Sequence, residues 1–345
     1  MLQYNGYLAR IFELREVLLN PPVGQNVDYL RLSVTDRCNF RCVYCMPPEG
    51  VPFRPHDAIL AYEDMEFFVR AAVQMGIRKV RITGGEPLVR KGLPGFVGML
   101  REMPEIEDIS LTTNGVLLPR FAEELKENGL NRVNISLDSL DPERYKALTR
   151  GGSLEAALAG VEAALRCELN PVKLNVVMMP EVLAEVGAFV ELTREKPLHV
   201  RFIEWMEVGG CGPRGAVLSV TKADLLATLE QLGSQGLGSF EPVTSSPGGW
   251  GPAHYYRFPD HQGTIGFIGS VSDHFCNECN RLRLTADGRL KNCLFSSHEI
   301  DVKAALQARD LDMVIAVIAQ SLEAKTFDKN VLPGRTARGM SQVGG

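Results

Sequence analysis

Cys38-Asn39-Phe40-Arg41-Cys42-Val43-Tyr44-Cys45 follows closely on Leu30–Val34, a run that predicts a β-strand. Three thiolates on one loop can ligate three irons of a cubic [4Fe–4S] cluster and leave the fourth iron open to a reactive ligand. The same three cysteines suit a structural zinc ion if a fourth donor, such as His56, completes a tetrahedron. Spacing alone leaves both possibilities standing.

Outward from that loop, strand-like and helix-like periodicities alternate. Tyr62–Met75 predicts a helix ended by Gly76, and Lys79–Thr83 a strand followed by Gly84-Gly85-Glu86-Pro87. Pro94–Met103, Arg120–Asn128, Leu154–Cys167 and Val182–Glu195 predict further helices, and Asp108–Thr112, Arg132–Leu137, Lys173–Met178 and Val200–Ile203 further strands. Regular strand–helix steps argue for a parallel sheet, with polar and glycine-rich residues at the strand C-termini where α/β barrels carry their chemistry. The expected fold class is α/β: a partial, open (β/α)6 TIM-type barrel. From about Gly209 the pattern changes, and Ala253–Phe258, Gly263–Ile268 and Asn280–Thr285 read as antiparallel strands. The expected layout is an N-terminal extension (1–28), a barrel (29–215) and a C-terminal domain (216–345), with the boundary near 210–220. The Gly-rich stretch Gly233–Gly251 matches no motif.

Composition narrows the functional classes. The chain has 345 residues, 45% hydrophobic and 23% charged, with a formal net charge of −5. That balance gives no general attraction to nucleic acid or acidic membranes. No apolar run is long enough to span a bilayer, and Glu13 and Glu16 interrupt any secretory core. Eight cysteines without a signal segment predict a reducing, cytoplasmic setting in which clustered thiols are metal ligands. No nucleic-acid or membrane partner is expected.

A second constellation, Cys276-Asn277-Glu278-Cys279 with Cys293 thirteen residues later, again offers three thiols. Zinc with His274 or His298 and an iron–sulfur cluster are both open here. Two three-cysteine sets in one chain favour two clusters. Cys167 and Cys211 have no partner at ligand spacing and read as incidental thiols. Arg31, Arg81 and Lys173 lie between apolar neighbours inside predicted strands, and Arg281 and Arg283 share one strand face. Buried cations need compensation. Ion pairs with Glu86 or Glu204 would supply it; so would a polyanionic ligand in the barrel mouth, since the arginine fork suits phosphate.

Taken together, these segments resemble the radical S-adenosylmethionine (SAM) superfamily and, within it, the GTP 3′,8-cyclase family of molybdenum cofactor biosynthesis. The resemblance is carried by Leu30–Cys38, Arg81-Ile82-Thr83-Gly84-Gly85-Glu86-Pro87-Leu88, Leu111-Thr112-Thr113-Asn114-Gly115, Asn134-Ile135-Ser136-Leu137-Asp138, Arg201-Phe202-Ile203-Glu204, the second cysteine set and Gly344-Gly345. It implies a lyase with two [4Fe–4S] clusters and SAM. Cys38, Cys42 and Cys45 would hold the SAM-cleaving cluster, and Cys276, Cys279 and Cys293 the auxiliary cluster facing guanine. Tyr44, Gly85, Ser136 and Met206 match SAM-contacting positions. Arg31, Arg81, Thr112, Lys173, Arg281 and Arg283 match GTP-contacting positions, with Arg281 and Arg283 as candidate catalytic residues in the late reduction. The implied reaction removes the C3′ hydrogen of GTP and joins C3′ to C8, giving 3′,8-cyclo-7,8-dihydro-GTP. A one-electron reductant, a downstream cyclic pyranopterin monophosphate synthase and a homodimer are the implied partners. The double-glycine tail, with Arg335 and Arg338 upstream, would reach toward the active site.

Two other functions fit parts of the pattern. A peptide-modifying radical SAM enzyme also carries auxiliary clusters; the cation-bearing strand Arg281–Leu284 and the double-glycine end speak for a nucleotide instead. A zinc-bearing nucleic-acid module conflicts with the acidic balance and the barrel pattern.

Overall fold

Over most of their length the barrel strands alternate a polar residue with an apolar one, and that alternation sets the architecture. The computed structural model describes residues 26–209, 220–244, 247–248, 251–273, 275–326 and 334–344. Most of the expected N-terminal extension, the boundary stretch 210–219 with Cys211, His274 and Gly345 lie outside these residues. Six strands, β1 (Tyr29–Ser33), β2 (Lys79–Thr83), β3 (Asp108–Thr113), β4 (Arg132–Ser136), β5 (Val172–Met178) and β6 (Leu198–Glu204), pair in order, all parallel. The connecting helices are Tyr62–Gln74, Leu93–Arg101, Leu118–Glu127, Leu154–Arg166 and Val186–Glu195. An additional helix, Pro142–Thr149, starts where the Asp141 carboxylate accepts from the Arg144 amide at 2.7 Å.

Parallel strands covered on both faces usually read as nearly continuous apolar runs. These do not. Leu30, Leu32, Val80, Ile82, Ile109, Leu111, Val133, Ile135, Leu174 and Val200 form one buried face, packed into a core with helix residues such as Phe68, Phe96, Leu125 and Phe189. The other face carries Arg31, Arg81, Ser110, Arg132, Lys173 and Arg201, and it lines the barrel interior. Burying each large aliphatic side chain contributes about 1.5–3 kcal/mol, so the apolar face holds the helices on and leaves the interior free for polar work.

The C-terminal strands extend the same sheet instead of forming one of their own. Strand β10 (Arg281–Leu284) adds parallel to β1, and β9 (Thr264–Ile268) adds parallel to β6. The expected antiparallel pairings occur on their outer edges. There β11 (Arg289–Lys291) and β12 (Ile300–Asp301) continue from β10, and β8 (His254–Arg257) and β7 (Glu241–Val243) from β9. The resulting twelve-stranded order, β12-β11-β10-β1-β2-β3-β4-β5-β6-β9-β8-β7, has two free ends, so the barrel is open. The helix Leu311–Glu323 packs on Tyr62–Gln74 and covers the side where β10 joins. No helix among the described residues is long and apolar enough to cross a membrane.

Candidate active site

Both cysteine sets open onto one cavity of about 330 Å³ inside the barrel. The first loop leaves β1 at its C-terminal end. Cys279 lies two residues before the start of β10, where Tyr29 pairs with Arg281 and the Tyr29 amide donates to the Asn280 carbonyl at 3.1 Å. The antiparallel register of Arg283 with Lys291 carries Cys293 to the same end. The two sets therefore sit beyond opposite ends of β1, a five-residue strand roughly 17 Å long.

The first loop is locked to the neighbouring strand ends. Amides of Gly85 and Glu86 donate to the carbonyls of Thr35 and Arg37, both at 2.8 Å. Asn114 Nδ2 donates to Asn39 Oδ1 at 2.8 Å, and the Phe40 amide points at Cys38 Sγ, 3.3 Å away. A side chain on Gly84 or Gly85 would meet the backbone of Thr35 or Arg37. The paired glycines thus admit the cysteine loop itself, and Gly85 still lines the cavity. Glu86 accepts from the Leu88 and Asn114 amides and from the Thr113 hydroxyl. Burial pushes its carboxyl up to about 7 against those three donors. Tyr44 donates to Asp138 at 2.6 Å, and Asp138 also accepts from the Val177 amide.

Burial pushes the Cys38 thiol up to about 11 and raises Cys42 as well, which disfavours free thiolates here and fits ionisation on metal binding. In the second set, burial acts in the same direction on Cys279. Lys325, Arg281 and Arg283 outweigh it and hold the thiol below its ordinary value. Among the described residues no three His, Cys, Asp or Glu side chains converge as donors to a single ion. A cubic cluster takes each cysteine on a different iron, so its ligands need not converge on one point. The donor chemistry fits [4Fe–4S] clusters at both places.

Between the two sets the wall is cationic. Arg31 lies in register with Arg81 on one side and Arg283 on the other. Arg132, Lys173, Arg201 and Arg281 line the same cavity. Glu86 and Glu204 do not neutralise them, because Glu204 accepts from the Val271 and Ser272 amides and the Ser272 hydroxyl. Deeper in the barrel Arg132 is gripped by Asp108 through bonds of 2.8 and 2.7 Å, and Lys79 pairs with Asp28. Burial, with neighbouring arginines, lowers Arg81 to about 9, Arg283 to about 10 and Lys173 to about 6. Lys173 also donates to the Gly248 carbonyl, which brings part of the Gly-rich stretch onto the barrel. Thr112 Oγ1 and Trp205 Nε1 line the cavity, buried and without a hydrogen-bond partner.

The chain end closes on this wall. Arg31 Nε and Arg283 Nη1 both donate to the Gly344 carbonyl at 3.2 Å. Upstream, Arg338 bonds both oxygens of Asp287 (2.9 and 3.0 Å) and Glu299 (2.9 Å), which anchors the tail to the β10–β11 turn and to the residue before β12.

All the residues expected from the sequence meet here. Tyr44, Gly85, Ser136, Met206, Arg31, Arg81, Thr112, Lys173, Arg281, Arg283 and the six cysteines line the one cavity. Sequence reasoning missed Arg132, which follows the polar Asn131, and did not single out Arg201, although Arg201 lies between Val200 and Phe202 much as Arg31 and Arg81 lie between apolar neighbours. Trp205 and Lys325 carried no local signal.

Comparison with known proteins agrees with this geometry. Residues 32–193 match the family described as the radical SAM superfamily, and residues 198–331 match Molybdenum Cofactor Synthesis C. The GTP 3′,8-cyclase of Heliobacterium modesticaldum is 48% identical over 327 residues, covering 93% of this chain and 98% of the relative. That of Pelotomaculum thermopropionicum is 49% identical over 324 residues with the same coverage. Among solved structures, SuiB of Streptococcus suis bound to its precursor peptide SuiA superposes with a TM-score of 0.60 at 14% identity. It covers 90% of this chain and 68% of that one, a likeness of fold.

Proposed function

The chain belongs to the GTP 3′,8-cyclase family within the radical SAM superfamily, and we propose that its barrel interior is the chamber in which GTP becomes 3′,8-cyclo-7,8-dihydro-GTP. The observation that carries this most is the cationic wall strung between two three-cysteine sets at opposite ends of β1. Cys38, Cys42 and Cys45 would hold the cluster that meets SAM, with Tyr44, Gly85, Ser136 and Met206 around SAM. Cys276, Cys279 and Cys293 would hold the auxiliary cluster. When bound, the clusters and SAM supply the one-electron chemistry that removes a hydrogen atom from the substrate.

The chain's own residues do the positioning. Arg31, Arg81, Lys173, Arg281 and Arg283 offer the charge that a triphosphate needs, and Thr112 offers a hydroxyl with no internal partner. Arg81 and Arg283, lowered only to about 9 and 10, stay protonated at neutral pH and serve as fixed donors. In the substrate the C3′–H bond breaks and the C3′–C8 bond forms; one further electron and a proton complete the reduced ring. Closure requires C3′ and C8 to be held together, which is worth several orders of magnitude in rate. The electrons come from a one-electron reductant, and a downstream cyclic pyranopterin monophosphate synthase would take up the product.

A peptide-modifying role has the auxiliary cysteine set and a likeness of fold in its favour, while full-length relatives at 48–49% identity and the cation wall favour the nucleotide. The deciding experiment is an anaerobic assay with dithionite, SAM and GTP deuterated at C3′. Deuterium in 5′-deoxyadenosine together with a cyclised nucleotide is the expected result. SAM cleavage without deuterium transfer, and unchanged GTP, would move the substrate assignment to peptides.

Lys173 makes GTP binding pH-dependent. Burial, then Arg201, Arg132 and Arg81, hold its ammonium down to about 6, so at pH 8 the free side chain is neutral. A bound triphosphate restores the charge, and binding then takes up a proton. GTP affinity is expected to weaken as pH rises from 7 to 9, approaching about tenfold in Kd per pH unit. Lys173→Met should flatten that slope. The γ-phosphate titrates equally in both proteins, and an identical slope in the variant would remove Lys173 from the triphosphate site.

A further inference from the structure

Lys325 lies outside every motif discussed above. It follows the C-terminal helix Leu311–Glu323 and is only 7% exposed. Its ammonium donates to Cys279 Sγ at 3.5 Å, to the Arg281 carbonyl at 3.0 Å and to the Asn292 carbonyl at 2.8 Å. Those acceptors belong to the two separate arms of the second cysteine set. Cys279 and Arg281 sit on the arm entering β10, and Asn292 precedes Cys293 on the arm leaving β11. Asn292 is tied to the same helix, donating through Nδ2 to the Ser321 carbonyl at 3.1 Å.

An ammonium carries three N–H donors. Here they join one cysteine sulfur to the backbones of both arms. Charge buried this deeply is costly unless it is matched, and an anionic thiolate cluster at Cys279 would add to that compensation.

Building on the assignment of Cys276, Cys279 and Cys293 to a cluster, we propose that Lys325 is the positioning residue of the auxiliary cluster: it clasps the two cysteine arms and sets the cluster's reduction equilibrium through its charge at Cys279. Hydrogen bonds and charge at the sulfurs are among the levers by which a protein tunes such clusters. Removing the positive charge disfavours the added electron. The effect is confined to the second cluster, because the first set stands at the far end of β1.

The test uses the full chain, reconstituted anaerobically with iron and sulfide, as the parent protein and as Lys325→Met and Lys325→Arg. Iron content in the parent checks the two-cluster assignment by itself; a single cluster there would refute that assignment before Lys325 is considered. Redox titration followed by electron paramagnetic resonance then reads both clusters in each variant, with the SAM cluster as internal reference. In Lys325→Met the auxiliary cluster is expected to be at least tenfold harder to reduce, a downward shift of about 59 mV for one electron. Selective loss of that cluster in Lys325→Met would also support the proposal, provided Lys325→Arg keeps it. In either case the SAM cluster stays unchanged and Lys325→Arg remains close to the parent. Parental behaviour of the auxiliary cluster in Lys325→Met would overturn the proposal. So would loss of both clusters together, or identical behaviour of the Met and Arg variants, since Lys325 would then act through packing alone.

Discussion

Gly85→Ala is expected to abolish SAM cleavage, lowering it by roughly 100-fold or more, the scale at which an ångström of misplacement is felt. A Cβ at this position would lie 2.3 Å from the Arg37 carbonyl oxygen, 2.6 Å from its carbon and 3.0 Å from Cys38 Cβ. Two of those neighbours are backbone, so no rotamer change relieves the contact. Overpacking a side-chain core typically costs about 1–3 kcal/mol. Here the strain falls on the loop that presents Cys38, and that loop is held by the bonds from Gly85 and Glu86 to Thr35 and Arg37. Those bonds must break or the cysteine must move. Iron content and the SAM-dependent spectrum of the first cluster should be lost while the auxiliary cluster persists. Gly95→Ala is the matched control, since nothing lies within 4 Å of its added Cβ. In the helix Leu93–Arg101 that change should be neutral or slightly stabilising. A Gly85→Ala protein with a full first cluster and normal SAM cleavage would refute this account of the paired glycines.

The second large effect concerns the chain end. Removing Gly344 and Gly345, or replacing Arg283 by Met, is expected to lower GTP cyclisation by roughly 100-fold, about 2.7 kcal/mol at 1.36 per decade. Arg283 and Arg31 both hold the Gly344 carbonyl, and Gly344 has a φ of +75°, which favours glycine. A Cβ there would stand 2.5 Å from Thr83 Oγ1 and 3.2 Å from Ser33 Cβ, so the tail is seated against the ends of β1 and β2. Arg338, through Asp287 and Glu299, fixes how far the tail extends. Truncation and Arg283→Met act partly through one contact, and their combined loss should be smaller than the product of the separate losses. Formation of 5′-deoxyadenosine should fall by less than about tenfold in each, because neither change touches the first cysteine loop. Full cyclisation by the truncated chain would refute a role for the tail.

Much of the chemistry was legible locally. The spacing of Cys38, Cys42 and Cys45 and of Cys276, Cys279 and Cys293 is a property of adjacent residues. The strand Lys79–Thr83 was located to the residue, because a polar–apolar alternation and its bounding turn residues are local signals. Arg31, Arg81 and Lys173 betrayed themselves as charges inside apolar runs. The placement of Arg281 and Arg283 did not follow from their own strand, which pairs in parallel with β1 about 250 residues earlier. Nor did the true neighbours of Gly84 and Gly85, which are the cysteine-loop backbone.

The parallel six-stranded barrel, the two thiol sets and the cationic character of the strands are therefore local properties, since each rests on periodicity or spacing within a short window. Only the tertiary structure decided that β9 and β10 extend the barrel at its two edges, that the thiol sets face one cavity from opposite ends of β1, and that Gly344 and Lys325 meet Arg283 and Cys279. Those pairings join segments tens to hundreds of residues apart. Their register is selected by burial of the common apolar face and by hydrogen bonding across the sheet, and neither leaves a mark on any single stretch of sequence.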